Sequence, residues 1–520
     1  MSDSTITFLV LGLTVGVFIW DRVPVAAVAL GVALSLWATG VLDLEQALGG
    51  FGDPTVVFIA SLFVVSEALD STGVTAWAGQ QLLARSGGSR TRVVALTMLL
   101  VAVVTALISV NGAVAALLPV AAVMAVRLRM SPSQLLLPLA FGAHAGSLVA
   151  LTGSPVNVIV AEAAGDAGVG RFGFFEFALV GVPLVAGTIA VVVLFGERLL
   201  PDRKARTTTK DFGSLARTLV DQYALDHDPD DLVGRRSGVA EVVVPSRSSL
   251  VGETAFPGEL TPSGDLVVLA IQRRGEEMQG ETTLAPGDTL LLQGSWGALE
   301  YHLDDPDVLV VDDPALVRRQ AVPLGPGAAQ ALVVLAGMVV LLAGGLVPPA
   351  VAGLLAAGGM VLSGVLTIDQ AYRGIAWTTV ILVAGMIPLS TAMVASGAAE
   401  TLAEGLVDVV RDGGPHALLV GLVLLTFALG QLISNMATAL IVIPIAVSAA
   451  AELDVSPKPV LMAVCVASAA AFLTPVATPA NLMVMAPGGY RFGDYWKLGL
   501  PLLALFGAVA VLLVPVIWSF

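Results

Sequence analysis

Long apolar runs follow one another through both ends of the chain, and a single polar stretch near the middle interrupts them. Uncharged runs of this kind match the ~20 residues a helix needs to cross a ~30 Å hydrocarbon layer. In the first half the pattern predicts crossings near 5–20, 23–41, 55–69, 134–165 and 177–198. The stretch 93–127 reads as two apolar arms joined at Ser109–Gly112, a re-entrant hairpin. In the second half the crossings fall near 330–347, 350–366, 376–394, 459–486 and 498–518, with a hairpin at 415–451.

The two halves also match residue by residue. The 34 residues from Gly40 to Gly73 align with Gly364–Gly397 at an offset of 324. Leu107–Ala125 then aligns with Leu432–Ala450, GSPVN (Gly153–Asn157) with ATPAN (Ala477–Asn481), and Arg171–Pro183 with Arg491–Pro501. Four ordered matches identify an internal repeat. Five crossings is an odd number, so the second copy enters the membrane upside down. Inverted repeats with broken helices are a transporter architecture.

Composition strengthens this picture. The 520 residues are 56% hydrophobic and 12% charged, with a mean hydropathy of +0.90, against roughly 25% charged in soluble domains. That excludes a soluble enzyme and a disordered chain. A net charge of −15 excludes nucleic acid as a partner, and the single Cys465 excludes disulfides and a cysteine metal site. The run Ile6–Trp20 lacks a basic flank and reads as a span of the mature protein.

The polar interruption, Asp202–Arg319, holds 12 Lys/Arg and 21 Asp/Glu, or −9 of the total charge. Strands are expected at the start of Gly238–Phe256, in Ser263–Met278 before a Gly275 turn, and at the end of Ala285–Gly294. The expected fold is an α-helical polytopic membrane protein. Its repeats, residues 1–200 and 326–520, each hold five crossings and a hairpin, and a small α+β domain at 201–325 lies between them. With that domain in the cytoplasm, short inner loops carry Arg22, Arg85, Arg90, Arg92, Arg127, Arg129, Arg373, Arg491 and Lys497. Outer loops carry Arg171, Arg411 and Lys458. Nine against three obeys the positive-inside rule and puts both termini outside a cell membrane.

Polar clusters occupy matching points of the repeat. Ser109-Val110-Asn111-Gly112 and Ser434-Asn435-Met436-Ala437-Thr438 sit at the hairpin tips, each with a proline ten residues after its serine (Pro119, Pro444). Thr152-Gly153-Ser154-Pro155-Val156-Asn157 and Thr478-Pro479-Ala480-Asn481 interrupt apolar helices. Proline removes a helical hydrogen bond and glycine admits unusual dihedrals, so a membrane helix can unwind there. Freed carbonyls with Ser, Thr and Asn oxygens suit Na+. Amide donors at half-helix N-termini suit an anion. Small polar residues also serve plain helix packing, but four clusters at corresponding points favour a binding site.

The residues SNMAT…P, TPVATPAN and RFGDYWKLGLP resemble the divalent anion:sodium symporter family of the ion transporter superfamily, over roughly 400 residues of the two halves. The resemblance implies an elevator-type carrier, commonly dimeric, of dicarboxylate, citrate or sulfate. Its motif falls on Ser434, Asn435 and Thr438 at the second tip, and on Ala477, Thr478, Pro479 and Asn481 at the second break. In the first half it falls on Thr152, Gly153, Ser154, Pro155 and Asn157, and on Ser109 at the first tip, where Val110 takes the asparagine position and Asn111, in the threonine position, is the candidate to supply the amide. Val110 and Met436 replace usual motif residues. The stretch VVVPSRSSLVGETAF…LAPGDTLLLQG resembles the C-terminal TrkA-C domain of regulators of potassium conductance, which implies a cytoplasmic module that binds a ligand of unknown identity or dimerises.

His144 and Glu67 lie in or near apolar segments, where ionisable groups are costly and often functional. His144 could couple transport to protons or simply hydrogen-bond across helices; Glu67 reads as interfacial. Trp20, Trp377, Trp496 and Trp518 read as interfacial anchors. The acidic runs Asp226–Asp231 and Asp304–Asp313 lack calcium-loop spacing and read as linker. A hydrolase built on Ser109 or Ser434 would need a base, and His144 is one residue for two sites. The sequence therefore points to a transporter, not an enzyme, with no cofactor besides a coupling Na+ or H+. It carries a small oxyanion, a dicarboxylate or sulfate. Arsenite export, insert-regulated cation transport and a non-transporting sensor are the competing readings.

Overall fold

The computed structural model describes residues 2–520 apart from 21, 75–76, 78–80, 82–88, 129, 204–218, 220–221, 224–231, 235–236, 279, 304–305, 315–316, 319–323, 411–412 and 476. Arg85, Arg129, Arg411, Asp226–Asp231 and Asp304 lie outside the described residues. The chain forms two compact units. One comprises Met1–Ala68, Gln81–Thr208 and Leu332–Phe520, the other Leu69–Gln80 with Thr209–Ala331. Within the second, Gly325 donates its N–H to the Thr72 carbonyl at 2.8 Å, which ties the short segment to the middle of the chain.

The first half begins with α1 (Asp3–Trp20), α2 (Val25–Ala38), the short α3 (Leu44–Leu48) and α4 (Pro54–Ser71). The hairpin follows as α5 (Arg90–Leu107) and α6 (Val110–Arg127). The crossing expected at 134–165 is broken. It consists of α7 (Leu136–Gly146), a 3-10 turn at Leu151–Gly153 and α8 (Pro155–Asp166), followed by α9 (Ala178–Leu199).

The middle unit holds β1 (Ser237–Val243), β2 (Thr254–Ala255), β3 (Leu266–Arg273), β4 (Glu276–Glu277), β5 (Thr282–Thr283), β6 (Thr289–Ser295) and β7 (Leu309–Val310), with α10 (Trp296–His302) after β6. β1, β3 and β6 lie where the sequence places strands; the two-residue β2, β4, β5 and β7 are too short to show alternation, and β7 falls in the acidic run read as linker. The main sheet has the order β4-β3-β6-β1-β7, and β2 pairs with β5 apart from it. Both faces of the sheet are covered. Val242, Val268, Leu290 and Leu292 pack with Trp296 and Leu299 on one side. Val239, Ala270 and Leu291 pack with Leu219, Tyr223 and Leu232 on the other. A bulge between Val268 and Ala270 shifts the alternation of β3 by one residue, so Val268 and Ile271 face one side and Ala270 the other.

The second half repeats the first with α11 (Ala328–Ala343), α12 (Pro349–Leu362), α13 (Ile368–Gly374), α14 (Trp377–Ala395), α15 (Ala398–Val410), the hairpin α16 (Gly414–Gly430) and α17 (Asn435–Glu452), the broken pair α18 (Pro457–Ser468) and α19 (Pro479–Met485), and α20 (Tyr495–Ala508). The repeat extends to capping chemistry. Asp43 with Gln46 starts α3 and Thr367 with Gln370 starts α13, both as reciprocal capping boxes. The short α3 and α13 and the helix α15 are not among the expected crossings. In α15, Glu400, Glu404 and Asp408 recur every four residues, while Ala399, Ala403 and Val407 are buried. A search for uniformly apolar runs passes over such a helix.

Among the described residues, seven helices are individually long and apolar enough to cross a bilayer. Two of the seven are hairpin arms, α5 and α17, so five of the ten expected crossings pass. The crossings at 134–165 and 459–486 are split by breaks, α18 stopping after 12 residues, and α2, α11 and α12 run only 14, 16 and 14 residues. Trp20, Trp377 and Trp496 are exposed, as anchors would be, but Trp518 is buried and donates its indole N–H to Glu176 at 2.7 Å. That places Trp518 in packing rather than at an exposed boundary.

Candidate functional site

Each polar cluster begins a helix. Ser109 precedes α6 and its Oγ accepts the Gly112 N–H at 3.2 Å, while Ser434 caps α17 by accepting from Ala437 N at 3.3 Å. Ser154 caps α8 through Val156 N at 3.2 Å, with Pro155 in the first turn, where its missing N–H costs nothing. Thr478 caps α19 through Asn481 N at 3.3 Å, again followed by proline. A side chain at Gly153 would put its Cβ 2.4 Å from the Ser147 carbonyl oxygen, so this turn accepts only glycine.

The four starts converge on one cavity of about 100 Å³. Its walls include Ser109, Val110 and Asn111 from the first tip and Ser434, Asn435 and Met436 from the second. The breaks contribute Gly153, Ser154, Pro155 and Val156, and Ala477, Thr478 and Pro479. Phe63, His144 and Thr379 complete it. No Lys, Arg, Asp or Glu stands among these described lining residues, and Glu67 packs elsewhere, beside Gly374. Helix N-termini present unpaired N–H groups and the positive end of the backbone dipole, so an uncharged wall of this kind accepts an anion.

Four residues singled out by sequence do not line the cavity: Thr152, Asn157, Thr438 and Asn481. Thr152 donates to the Ala106 carbonyl at 2.8 Å. Asn157 donates its amide to Ser147 O at 2.7 Å and Ala150 O at 2.8 Å. Asn481 does the same 324 positions later, to Ala471 O at 2.6 Å and Thr474 O at 3.1 Å. These side chains satisfy carbonyls that the helix breaks release, which burial would otherwise leave unpaired. Phe63 and Thr379 carry no sequence signal, because both lie in ordinary apolar spans.

His144 belongs to both descriptions. It lines the cavity, and its Nε2 lies 3.2 Å from Asn481 Oδ1 and 3.2 Å from Thr478 Oγ1. The Asn481 amide hydrogens are committed to carbonyls, so Oδ1 is an acceptor and Nε2 carries the hydrogen. The ring stands edge-on to Phe472, centroids 5.8 Å apart.

Seven buried side-chain oxygens among the described residues have no hydrogen-bond partner, and three of them, Asn435 Oδ1, Thr438 Oγ1 and Ser468 Oγ, belong to the start of α17 and the end of α18. An unmet buried acceptor costs about 1–3 kcal/mol. Asn435 and Thr438 are three residues apart at the start of α17, so they share a face of its first turn. Neutral oxygens held this way fit a hard monovalent cation. Among the described residues no cluster of three or more His, Cys, Asp or Glu side chains could hold a metal.

A family model described as citrate transporter matches residues 15–451 and 410–520. The uncharacterized transporter YfbS of Escherichia coli is 29% identical over 98% of this chain and 98% of its own length. Sodium/sulfate cotransporter 2 of Chlamydomonas reinhardtii is 26% identical over 54% of this chain and 33% of its own. The crystal structure of the Alcanivorax borkumensis YdaH transporter shares the fold, with a TM-score of 0.51 at 15% identity over 97% of this chain and 98% of that one.

Proposed function

Since the chain belongs to the citrate transporter family, we propose that it is a secondary active carrier of a small divalent oxyanion, sulfate or a dicarboxylate, driven by Na+. The observation that carries this reading is the convergence of two hairpin tips and two helix breaks on one uncharged cavity. An anion there meets backbone N–H groups, hydroxyls and helix ends. The orphaned oxygens of Asn435 and Thr438 supply an adjoining place for Na+, whose charge offsets that of the cargo. A name containing sodium and sulfate on a relative supports the pairing.

In this reading the hairpins and broken helices move as one body past the remaining helices, carrying cargo between the two faces of the membrane by alternating access. The inserted domain lies in the cytoplasm, both termini lie outside and the chain works as a homodimer. The likeness of the insert to a TrkA-C domain makes it a regulatory module. Its polar surface and the nine-against-three loop bias support that side.

Uptake of labelled sulfate and succinate into proteoliposomes, with and without an inward Na+ gradient, tests the proposal. The expected result is Na+-dependent accumulation of one of the two anions, lost in Asn435→Ala. Folded protein that accumulates neither anion under a Na+ or a proton gradient overturns it; arsenite export and cation flux are then measured in the same vesicles.

A further inference from the structure

The second hairpin carries a polar side chain outside its serine–asparagine tip. Gln431 closes α16, three residues before Ser434, and its amide reaches across to the unwound segment that follows α18. Its Nε2 donates to the Ala470 carbonyl at 3.0 Å, and its Oε1 accepts from Leu473 N at 2.9 Å. Only this orientation puts the NH2 group on a carbonyl and the oxygen on an N–H. The Thr474 hydroxyl adds a longer bond to the Gln431 carbonyl at 3.4 Å. These bonds join the arm leading into the Ser434–Met436 tip to the break leading into Ala477–Pro479. Both tip and break wall the cavity, and Gln431 itself does not line it.

The first half builds the same junction differently. There Val149 N donates to the Gly146 carbonyl at 3.1 Å, and the turn closes on itself. Leu473 and Ala470 are the corresponding residues 324 positions on, and the Gln431 amide stands between them as acceptor and donor. Ala106 holds the place of Gln431 in the first hairpin, and a methyl group cannot bridge. Its carbonyl instead receives the Thr152 hydroxyl at 2.8 Å. The first half therefore makes its break without an amide from the hairpin. The Ala470 carbonyl also accepts from Phe472 N at 3.1 Å, so it keeps a partner without Gln431. What the glutamine adds is attachment of hairpin to break, which the break does not need in order to form.

We propose that Gln431 is a positioning residue of the carrier: it fixes the second tip against the second break and so sets affinity for the anion without touching it. This rests on the carrier reading above. Groups that recognise a ligand must be held to within about 0.5 Å by their supporting contacts, and the Gln431 amide is such a contact for two walls of the cavity at once. Hairpin and break belong to the body that moves in that reading, so a tie between them does not resist its travel. Its loss loosens the grip on cargo and leaves the speed of crossing unchanged.

Two variants of the full chain in proteoliposomes test this. Gln431→Met keeps the length of the side chain without its hydrogen bonds, and Gln431→Asn keeps the amide but falls short of the break. Uptake is measured over a range of sulfate and succinate concentrations. The expected result in both variants is a half-saturation concentration raised about fivefold or more, with a maximal rate within about twofold of the parent. An unchanged half-saturation concentration in a folded variant, or a loss confined to the maximal rate, overturns the proposal; the asparagine variant decides alone where the methionine variant does not fold. A parent that accumulates neither anion refutes the carrier reading instead. Hydrogen exchange in nanodiscs then decides the role of Gln431: backbone amides of Leu432–Thr438 are expected to exchange faster in both variants than in the parent, and equal exchange overturns the positioning role.

Discussion

The imidazole of His144 points its Nε2 at the side-chain oxygen of Asn481, 3.2 Å away, so a helix of the first half braces the broken helix of the second. The related oxygen in the first break, Asn157 Oδ1, faces the Cys465 thiol at 3.3 Å. A thiol is a weak donor beside an imidazole N–H, so the two breaks are held with unequal strength. His144→Ala is expected to destabilise the protein by about 1–3 kcal/mol and to reduce transport more than Cys465→Ala does. His144→Gln, which keeps a donor, should recover part of both. Thermal unfolding and uptake of the three variants side by side check this; equal losses in His144→Ala and Cys465→Ala would sink the unequal bracing.

Removing Asn157 or Asn481 is expected to act on the fold, because each amide satisfies two buried carbonyls. Asn157→Leu and Asn481→Leu should each cost about 2–5 kcal/mol, from two orphaned acceptors, with poor recovery of folded protein. Asn435→Ala leaves no such debt, since Asn435 Oδ1 has no partner to lose. It should keep its unfolding temperature in Na+-free buffer while losing transport. Unfolding scans paired with uptake assays separate the two groups, and a stable, inactive Asn481→Leu would return that residue to the list of direct ligands.

Thr438 is fully buried with its hydroxyl oxygen unmatched, which makes Thr438→Val informative. In choline buffer the variant should be as stable as the parent or up to about 1–3 kcal/mol more stable, because an unmet acceptor is removed. Added Na+ should raise the parent's unfolding temperature by mass action and leave the variant's nearly unchanged. The same Na+ response in both proteins would place the cation away from Thr438.

Much of the site was legible because breaking a membrane helix takes particular residues. Gly153, Pro155 and Pro479 announce where helices stop, and Ser154 and Thr478 announce where they start again. The internal repeat then shows that these points correspond. Side-chain direction was not legible, since it follows from dihedrals in the broken segments. Asn157 and Asn481 turn inward to carbonyls ten residues upstream, whereas Asn111 and Asn435 face the cavity. Phe63 and Thr379 reach it from helices whose sequences look like any other span. In the insert β1, β3 and β6 were readable from alternation and turns and the two-residue strands were not, while α15 was missed because its acidic stripe breaks the apolar pattern.

The insert carries its own pH dependence. The Arg273 guanidinium makes paired hydrogen bonds to buried Asp288, each 2.7 Å, and holds its carboxyl below the usual aspartate range, helped by the Ala285 N–H. A depressed folded-state value means that the carboxylate's contribution is fully present above the unfolded value near ~3.9. It is lost as the pH falls through the lower folded value. In the full chain, amides of β6 should exchange faster in Asp288→Asn than in the parent at pH 6. The difference should shrink as the pH falls below the ordinary aspartate range. A difference that grows on acidification would contradict the assignment.

The last expectation concerns two glycines that do the same work in the two halves. Gly181 in α9 lies against the backbone of Leu148, and a Cβ there would sit 2.1 Å from that carbonyl oxygen. Gly499 in α20 lies against Phe472, and its Cβ would sit 2.3 Å from the corresponding oxygen. Leu148 and Phe472 are 324 positions apart, each inside a helix break, after α7 and after α18. Both neighbours are backbone, so neither can rotate away, and an added methyl must push the segment that positions the cavity wall. Overpacking of this kind typically costs about 1–3 kcal/mol. Gly181→Ala and Gly499→Ala are therefore each expected to lower the unfolding temperature and to weaken apparent substrate affinity, while Gly358→Ala, with open space around its Cβ position, changes neither. Uptake measured over a range of anion concentrations checks this: an unchanged half-saturation concentration in both tight-packed variants would show that the helix breaks tolerate displacement.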